Sequence, residues 1–230
     1  MSNIVIGIEG LVGAGKTSIC RKLTEIIPNT VMFNGGNLYR AIVYGLMKNG
    51  KSLDKLKSAG KSIDIKEMMD FLKIEIKFED KESMIYIDGV KIDEEILQSK
   101  EASLAVSTVG GSADNKNLFI FARKLIDDIK EKSNIIVSGR SLMKIYSDLD
   151  YHFFITADLE ERVKRKCIQY QNKEKIDEVK INIQKRDELQ EKAGFYELSP
   201  NTIIIDVTDC KSVEESTKKV LSKIKIPNLV

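Results

Sequence analysis

The 230-residue chain is poor in the residues that build disulfide-rich or zinc-binding proteins. It contains one histidine and three cysteines, and Cys20, Cys167 and Cys210 lie far apart in the sequence. This spacing argues against both a disulfide framework and a zinc site of the Cys/His type. We therefore expect three buried free thiols and a cytoplasmic location, because a reducing compartment keeps such thiols unpaired.

Long apolar runs and an excess of charge of one sign are also absent. No stretch approaches the roughly 18 consecutive apolar residues of a membrane span, and residues 1–10 lack the basic segment that opens a signal peptide. Lysine and arginine number 37 against 35 for aspartate and glutamate, which gives a net charge of +2. This near-balance provides no electrostatic basis for binding nucleic acid or a membrane surface. We expect a monomeric globular protein whose partners are small molecules.

What is present is a regular alternation of short apolar segments with helical patterns, which is typical of βαβ units and a parallel sheet. The predicted strands cover residues 3–8, 30–33, 134–137, 151–155 and 202–205. The predicted helices cover residues 16–26, 38–48, 117–130, 159–190 with a break near 171–172, and 213–224. Residues 71–78, 83–88 and 90–92 interrupt the alternation, and we interpret them as a small antiparallel insert outside the main sheet.

Residues 10–17 (GLVGAGKT) match the phosphate-loop pattern GxxxxGK[ST] between a predicted strand and a predicted helix. The glycines let backbone N–H groups turn toward phosphate oxygens, Lys16 reaches the β- and γ-phosphates, and Thr17 offers its hydroxyl to Mg²⁺. The following helix points its positive end at the same anion. The pattern predicts a site for a nucleoside triphosphate with Mg²⁺, formed by Gly10, Leu11, Val12, Gly13, Ala14, Gly15, Lys16, Thr17 and Ser18.

Two further absences narrow the class of nucleotide-binding protein. GTPase switches carry DxxG and NKxD segments, and neither occurs in this chain. A phosphoryl transferase instead needs cations around the nucleotide, and the chain offers Arg40, Arg140, Arg162, Arg165 and Arg186. A neutral hydroxyl acceptor would also need a carboxylate as base, but residues 33–36 (FNGG) and 138–141 (SGRS) contain none. This balance favours an acceptor that is already a phosphate, with Glu9 left as a candidate base or outer ligand of Mg²⁺.

From about residue 4 to residue 224 the sequence resembles the bacterial cytidylate kinases, a family of nucleoside monophosphate kinases. Residues 34–40 (NGGNLYR) are similar to the family's DTGAMYR segment, and residues 137–141 (VSGRS) to its VDGRD. Residues 160–166 (EERVKRK) are similar to EERAKRR, which opens the family's lid. Weaker similarities lie at residues 86–89, 106–107, 186–190 and 198–200.

The resemblance implies a fold and a role for each matching residue. The fold would be a three-layer α/β P-loop fold with a parallel core sheet and helices on both faces. Residues 1–63 and 104–230 would form the core, 64–103 a monophosphate-binding insert, and about 166–186 a lid. Lys16, Arg140, Arg162 and Arg165 would be catalytic, with Arg162 and Arg165 neutralising the transferring group. The acceptor site would comprise Asn34, Gly36, Tyr39, Arg40, Ser107, Arg140, Ser141, Arg186 and Gln190.

The sequence departs from the family where the family reads the base and the sugar. Ser141, Gln190 and Lys116 stand where the family has Asp, Asp and Arg, and Ser138 replaces an aspartate near the metal. Each lost hydrogen bond to a charged group costs about 1–3 kcal/mol of discrimination. We expect ATP- and Mg²⁺-dependent phosphorylation of CMP or dCMP, with a second anion site lined by Arg40 and Arg140. Two alternatives stay open: a P-loop kinase for another small phosphorylated metabolite, and a nucleotide-binding protein that has lost catalysis.

Overall fold

The computed structural model describes residues 3–50, 65–98 and 116–225. Its strands are β1 Val5–Gly10, β2 Thr30–Asn34, β3 Ile74–Glu79, β4 Glu82–Ile87, β5 Val90–Lys91, β6 Asn134–Ser138, β7 Tyr151–Thr156 and β8 Ile203–Asp206. Its helices are α1 Lys16–Ile26, α2 Gly35–Lys48, α3 Ile65–Leu72, α4 Glu94–Gln98, α5 Lys116–Lys130, α6 Leu142–Ile145, α7 Leu159–Gln169, α8 Ile176–Lys192 and α9 Val213–Leu221. Ser107, predicted as a substrate contact, lies outside the described residues, and so does the side chain of Tyr39.

The strands form one sheet in the order β3-β4-β2-β6-β1-β7-β8, with β5 paired to β4. Strands β2, β6, β1, β7 and β8 run parallel, with Gly7 of β1 between Val137 and His152 of its neighbours. The carboxyl ends of these strands therefore meet at one edge of the sheet, where α/β proteins bind their ligands. The phosphate loop leaves β1 at that edge.

Each face of the sheet carries its own apolar core. Ile135 and Val137 of β6 pack in a cluster with α2 and α5, whereas Ile136 between them packs in a second cluster with α1 and α9. Strands buried on both faces are continuously apolar and rich in branched residues, as the sequence of β6 is. The predicted three-layer α/β fold is confirmed. The three cysteines are buried and free, as expected.

The hairpin β3–β4 is antiparallel as predicted, with Ile76 opposite Ile85, but the prediction that it lies outside the main sheet is wrong. Strand β4 pairs with the edge of β2 at Met32, whose N–H donates to the carbonyl of Lys81 at 2.7 Å. The edge of β2 has backbone groups that need partners, and the hairpin supplies them. The boundaries of core and insert remain predictions.

Local structure differs from the predicted elements at residues 71–72 and at the start of α2, and helices α3, α4 and α6 have no predicted counterpart. Residues 71–72, predicted as the start of a strand, end helix α3, and Lys73 follows in a left-handed conformation with φ of 49°. Helix α2 begins at Gly35 rather than at residue 38, because the side chain of Asn34 caps it by accepting from the N–H of Asn37 at 3.1 Å. This cap fixes the orientation of the first turn at the cleft.

The charge-rich stretch after β7 forms two helices, α7 and α8, as predicted. The break falls where Gln171 and Asn172 adopt left-handed conformations, with φ of 56° and 55°. Residues from both helices pack around Val12 of the phosphate loop, and this cluster contains Val163, Cys167, Val179 and Ile183. Within the described ranges, no helix is long and apolar enough to cross a membrane.

Candidate active site

A cleft of about 930 Å³ opens at the carboxyl ends of the central strands. Its walls are the phosphate loop after β1, the start of α2 after β2, the turn after β6, and helices α7 and α8. Most predicted site residues therefore come together in one space. Those that line it are Val12 to Ser18, Asn34, Gly36, Arg40, Arg140, Ser141, Arg165, Arg186 and Gln190.

The phosphate loop has the backbone that its glycines permit. Gly10 has φ of 146°, and a Cβ there would lie 2.1 Å from the carbonyl oxygen of Ile155. Gly13 has φ of 80°, and a Cβ there would lie 3.1 Å from the carbonyl oxygen of Arg162. Helix α1 begins at Lys16 with no side-chain cap from Gly15, so its first N–H groups are available to an anion. The loop can hold phosphate oxygens with backbone groups alone.

Lys16 extends along the loop toward the cleft. Its Nζ donates to the carbonyl oxygens of Gly10 at 2.9 Å and Leu11 at 2.8 Å. Burial, followed by the positive charges of Arg140 and Arg186, holds the pKa of Lys16 well below its ordinary value. Bound phosphate groups would offset that repulsion, because an opposite charge nearby favours the protonated amine.

Three arginines face the loop across the cleft, each from a different element. Arg40 lies in α2 and donates to Oδ1 of Asn37 at 3.0 Å, and Arg140 follows β6 and donates to the carbonyl oxygen of Gly139 at 2.9 Å. The Nε atoms of Arg40 and Arg186 are buried without a hydrogen-bond partner. Among the described residues, none of the three guanidinium groups forms an ion pair with a carboxylate. Unpartnered buried donors of this kind indicate an anion site.

Burial and the mutual repulsion of these arginines lower the pKa values of Arg40 and Arg186. Burial, with the charges of Arg186 and Arg140, lowers the pKa of Arg40 to about 10. Burial also lowers the pKa of Arg186, and the charge of Arg140 acts in the same direction. A cluster of desolvated positive charges is costly for the fold alone and favours a bound anion.

Two polar residues of the acceptor side hold or border these arginines. Oε1 of Gln190 accepts from Nε of Arg140 at 2.8 Å and from the hydroxyl of Tyr196 at 3.2 Å. Ser141 has left-handed backbone angles, and its Oγ is buried without a hydrogen-bond partner. Gln190 therefore orients Arg140, whereas the Ser141 hydroxyl remains available to a ligand in the cleft.

The two lid arginines lie in different positions. Arg162 does not line the cleft; it donates to the carbonyl oxygens of Ala157 at 2.9 Å and Val12 at 3.1 Å and pairs with Asp187. Arg165 lines the cleft and pairs with Glu161 at 3.0 Å. Arg162 therefore stabilises the phosphate loop from the side that faces away from the cleft. Arg165 thus lies where the predicted contact with the transferring group could form and Arg162 does not, and both contacts remain predictions.

Lys166 is a cleft cation that the sequence analysis missed. Its side chain packs against the loop, with Cγ 3.4 Å from where a Cβ on Gly13 would lie. Burial, with the charges of Arg186 and Arg40, lowers the pKa of Lys166 to about 8. The available signal was its place in residues 160–166, four positions after Arg162 and therefore on the same face of helix α7.

Glu9, a candidate base in the sequence analysis, is buried below the loop and does not line the cleft. Its Oε2 lies 2.6 Å from Nε2 of His152, and its Oε1 accepts from the N–H of Leu142 at 3.2 Å. Nδ1 of His152 in turn lies 2.8 Å from Oγ1 of Thr202. Glu9 thus fixes the turn that carries Arg140 and Ser141.

The residues present fit a Mg²⁺ ion that is held mainly by its nucleotide. Thr17 lines the cleft at the start of α1, where its hydroxyl can serve as a ligand. Phosphate-loop enzymes commonly add an aspartate from a nearby strand, but β6 ends in Ser138, which has no carboxylate. Within the described chain, no group of three or more metal-ligating side chains is present. Phosphate oxygens and water would supply most ligands, as is usual for Mg²⁺.

A parallel sheet that feeds a phosphate loop, with cations gathered across the cleft, defines the class of phosphate-loop kinases. The cytidylate kinase family model matches residues 6–226. The chain therefore belongs to the cytidylate kinase family, and with it to the phosphotransferases that act on nucleoside monophosphates.

Relatives match along nearly the whole chain. The cytidylate kinase of Clostridioides difficile (strain 630) is 32% identical over 232 residues, covering 98% of this chain and 100% of the relative. That of Thermotoga maritima is 30% identical over 226 residues, covering 96% of each. Among solved structures, shikimate kinase from Acinetobacter baumannii in complex with shikimate is similar at a TM-score of 0.45 and 13% identity, covering 97% of this chain and 96% of that chain.

Proposed function

We propose that the protein transfers the γ-phosphoryl group of ATP to CMP or dCMP in the presence of Mg²⁺. The observation that carries this proposal is the second set of cations across the cleft from Lys16. Arg40 and Arg186 keep buried Nε atoms without partners, and Arg140 lies beside them. A protein that only bound ATP would have no use for these charges, whereas a monophosphate acceptor brings the anion that they lack.

The donor would lie on the phosphate loop. Backbone N–H groups of the loop and of the first turn of α1 would hold the β- and γ-phosphates, and Lys16 would move from its carbonyl partners to the phosphate oxygens. Thr17 would hold Mg²⁺, which supplies charge neutralisation for the phosphates. Arg162, with its bonds to Val12 and Asp187, would keep the loop in this shape.

The acceptor phosphate would lie among Arg40, Arg140 and Arg186. One of its oxygens attacks the γ-phosphorus of ATP, and the bond from that phosphorus to the β,γ-bridging oxygen breaks, so ADP leaves. The attacking oxygen is already ionised, so no base has to remove a proton. The absence of a carboxylate from residues 138–141 agrees with such an acceptor. Arg165 and Lys166 would stabilise the charge on the transferring group.

We assign acceptor binding also to the insert at residues 64–103 and closure over the nucleotides to the lid at about 166–186. Closure would exclude water and so limit hydrolysis of ATP. Helices α7 and α8 pack on Val12, which supports a role for this segment at the loop.

The departures at Ser141 and Gln190 favour one second candidate, a kinase for another small phosphorylated metabolite. Gln190 is engaged by Arg140 and Tyr196, so its amide oxygen is already used. The Ser141 hydroxyl can donate or accept a hydrogen bond, so it discriminates less strictly than a carboxylate would. The phosphate-binding arginines are common to both candidates.

A coupled assay of ADP release with every ribo- and deoxyribonucleoside monophosphate tests the proposal. We expect turnover with CMP and dCMP, and none in Lys16→Ala. The matched control is Lys22→Ala, because Lys22 lies on the same helix and pairs with the exposed Glu25. An enzyme that uses neither CMP nor dCMP at millimolar concentration would contradict the proposal and favour the second candidate.

A further inference from the structure

The cleft that contains the acceptor-site cations is also lined by carboxylates, which could neutralise them. In the described part of the chain, the carboxylates lining the cleft are Glu94, Glu95 and Glu161. Glu161 pairs with Arg165 on its own helix. Glu94 is different, because its helix α4 packs against helix α2, which carries Arg40, and both side chains line the same cleft. Its negative charge opposes the burial and the neighbouring arginines that lower the pKa of Arg40. A carboxylate within electrostatic reach of a phosphate-binding arginine is a competitor for the phosphate.

Arg21 holds this competitor. It lies in α1, one turn after the phosphate loop, and its Nε donates to Oε1 of Glu82 at 2.7 Å. Its NH2 group donates to Oε2 of Glu94. Burial disfavours the charged guanidinium of Arg21, but the two carboxylates outweigh this and raise its pKa. Arg21 thus stays charged and engages both acids.

The positions of Arg21 and Glu82 determine where Glu94 lies. Glu82 begins β4, which pairs with β2 at Met32, so Arg21 is anchored to the main sheet. Glu94 lies in the first turn of the five-residue helix α4. Arg40 itself donates to the neutral oxygen of Asn37, so its buried Nε has no competing acid while Glu94 is held.

We propose that Arg21 is a positioning residue for the acceptor: by holding Glu94 against Glu82 and helix α1, it keeps that carboxylate from neutralising Arg40. The anion site stays positively charged until the substrate phosphate arrives. This inference rests on the proposed function, because the acceptor phosphate is the anion that Arg40 would bind. If the contact between Arg21 and Glu94 only stabilised the fold, removing either side chain would weaken phosphate binding. Our proposal instead predicts that removing the charge of Glu94 strengthens it.

The test compares Arg21→Gln, Glu94→Gln and the double variant with the wild type. The readouts are KM for CMP, KM for ATP, and the dissociation constant of inorganic phosphate by calorimetry with saturating ADP on the phosphate loop. In Arg21→Gln we expect KM for CMP and the phosphate dissociation constant to rise about tenfold, the effect of one nearby opposite charge. KM for ATP should be unchanged. Glu94→Gln should bind phosphate more tightly than wild type, and the double variant should recover wild-type affinity within about twofold.

Lys22→Gln is the control for a change of charge on the same helix. Equal phosphate affinity in wild type and Arg21→Gln, weaker binding in Glu94→Gln, or no recovery in the double variant would each overturn the proposal. Wild-type protein that binds no phosphate would overturn it as well. If Arg21→Gln does not fold, the direction of the change in Glu94→Gln decides. Failure of the proposed function is distinguishable, because it appears as wild-type protein that binds phosphate but does not phosphorylate CMP.

Discussion

At the phosphate loop the binding groups belong mainly to the backbone, whereas across the cleft they are guanidinium side chains from three separate elements. The loop needs only its glycines of positive φ, at positions 10, 13 and 15, and the start of α1 to present its N–H groups. The acceptor side instead brings Arg40, Arg140 and Arg186 together in a desolvated cluster. The backbone site costs the empty protein little, but the arginine cluster is costly until an anion binds. The two halves of the cleft should therefore respond differently to mutation.

The largest effect should come from Lys16, the charged side chain of the phosphate loop. Lys16→Ala should lower kcat/KM by about 10²–10³-fold or more, because it removes a charge aimed at the transferring phosphoryl group. Steady-state kinetics with Lys22→Ala as control checks this. Activity within tenfold of wild type would show that the loop does not bind the reacting nucleotide as we propose.

On the acceptor side, activity and stability should change in opposite directions. Arg186→Met should raise KM for CMP about 100-fold, since a buried charged contact with the phosphate is lost. The same change should stabilise the ligand-free protein by about 1–4 kcal/mol, because an unpaired buried charge is replaced by an apolar side chain. Kinetics and thermal unfolding measure both, with Lys185→Met on the exposed side of α8 as control. A lower melting temperature in Arg186→Met would contradict the cost that we assign to the cluster.

The pH dependence should report Lys166, whose pKa is lowered to about 8. Above this pH the free enzyme loses the positive charge, so kcat/KM should fall, by about tenfold at pH 9 if the charge is required. Lys166→Arg should remove this part of the alkaline limb and leave the part due to Lys16. Identical profiles for wild type and Lys166→Arg would exclude Lys166 from the reaction.

Above pH 8 the stability of the ligand-free protein should change in the opposite direction to kcat/KM. The unfolded chain binds more protons than the native state between pH 8 and the ordinary lysine pKa, so the free energy of unfolding contributed by Lys166 should rise with pH there. Urea unfolding of the ligand-free protein at pH 7.5 and 9.5, compared with Lys166→Met, measures this contribution. A contribution that falls with pH would show that a bound anion or a carboxylate partners the amine.

The smallest effect should concern the base. Ser141→Asp places a carboxylate where a buried hydroxyl now lacks a partner, and a hydrogen bond from the cytosine amino group to it should favour CMP over UMP by about tenfold. Ser141→Ala is the matched control, because it removes the hydroxyl without adding charge. A ratio of kcat/KM for CMP and UMP that is the same in all three proteins would show that the base does not reach residue 141.

The parts of this protein that follow from local chemistry were predictable. The loop, its strand and its helix are contiguous, so the GxxxxGK[ST] pattern contains all the information needed to place Lys16 and Thr17. The break near residue 171 and the apolar strand β6 were equally local. By contrast, Arg162 and Arg165 looked equivalent on one helix face, yet Arg162 turns to Val12 and Asp187 while Arg165 lines the cleft.

Contacts between residues distant in the sequence determine the features that the sequence patterns did not predict. From the sequence, Glu9 was a candidate base, but in the fold its carboxylate contacts His152, which lies 143 residues away in the sequence. The hairpin was predicted as a separate insert because sequence patterns do not tell which strand edge β4 meets. The lowered pKa of Lys166 was not predictable, because it depends on burial and on the charges of Arg186 and Arg40, which only the folded chain brings near it.

Both backbone groups of Val12 are held by the helices that cover the cleft. Its carbonyl oxygen accepts from Arg162 of α7 at 3.1 Å, and its N–H donates to Asp187 of α8 at 3.4 Å. Because Arg162 and Asp187 also pair with each other, the peptide at residue 12 is enclosed in a ring of polar contacts. The conformation of the loop and the positions of α7 and α8 are therefore coupled, because neither can change without breaking these contacts. A nucleotide that binds to the loop would therefore fix the positions of α7 and α8 as well. A substitution at Arg162 or Asp187 would preserve this coupling only if the other residue were changed to remain its partner.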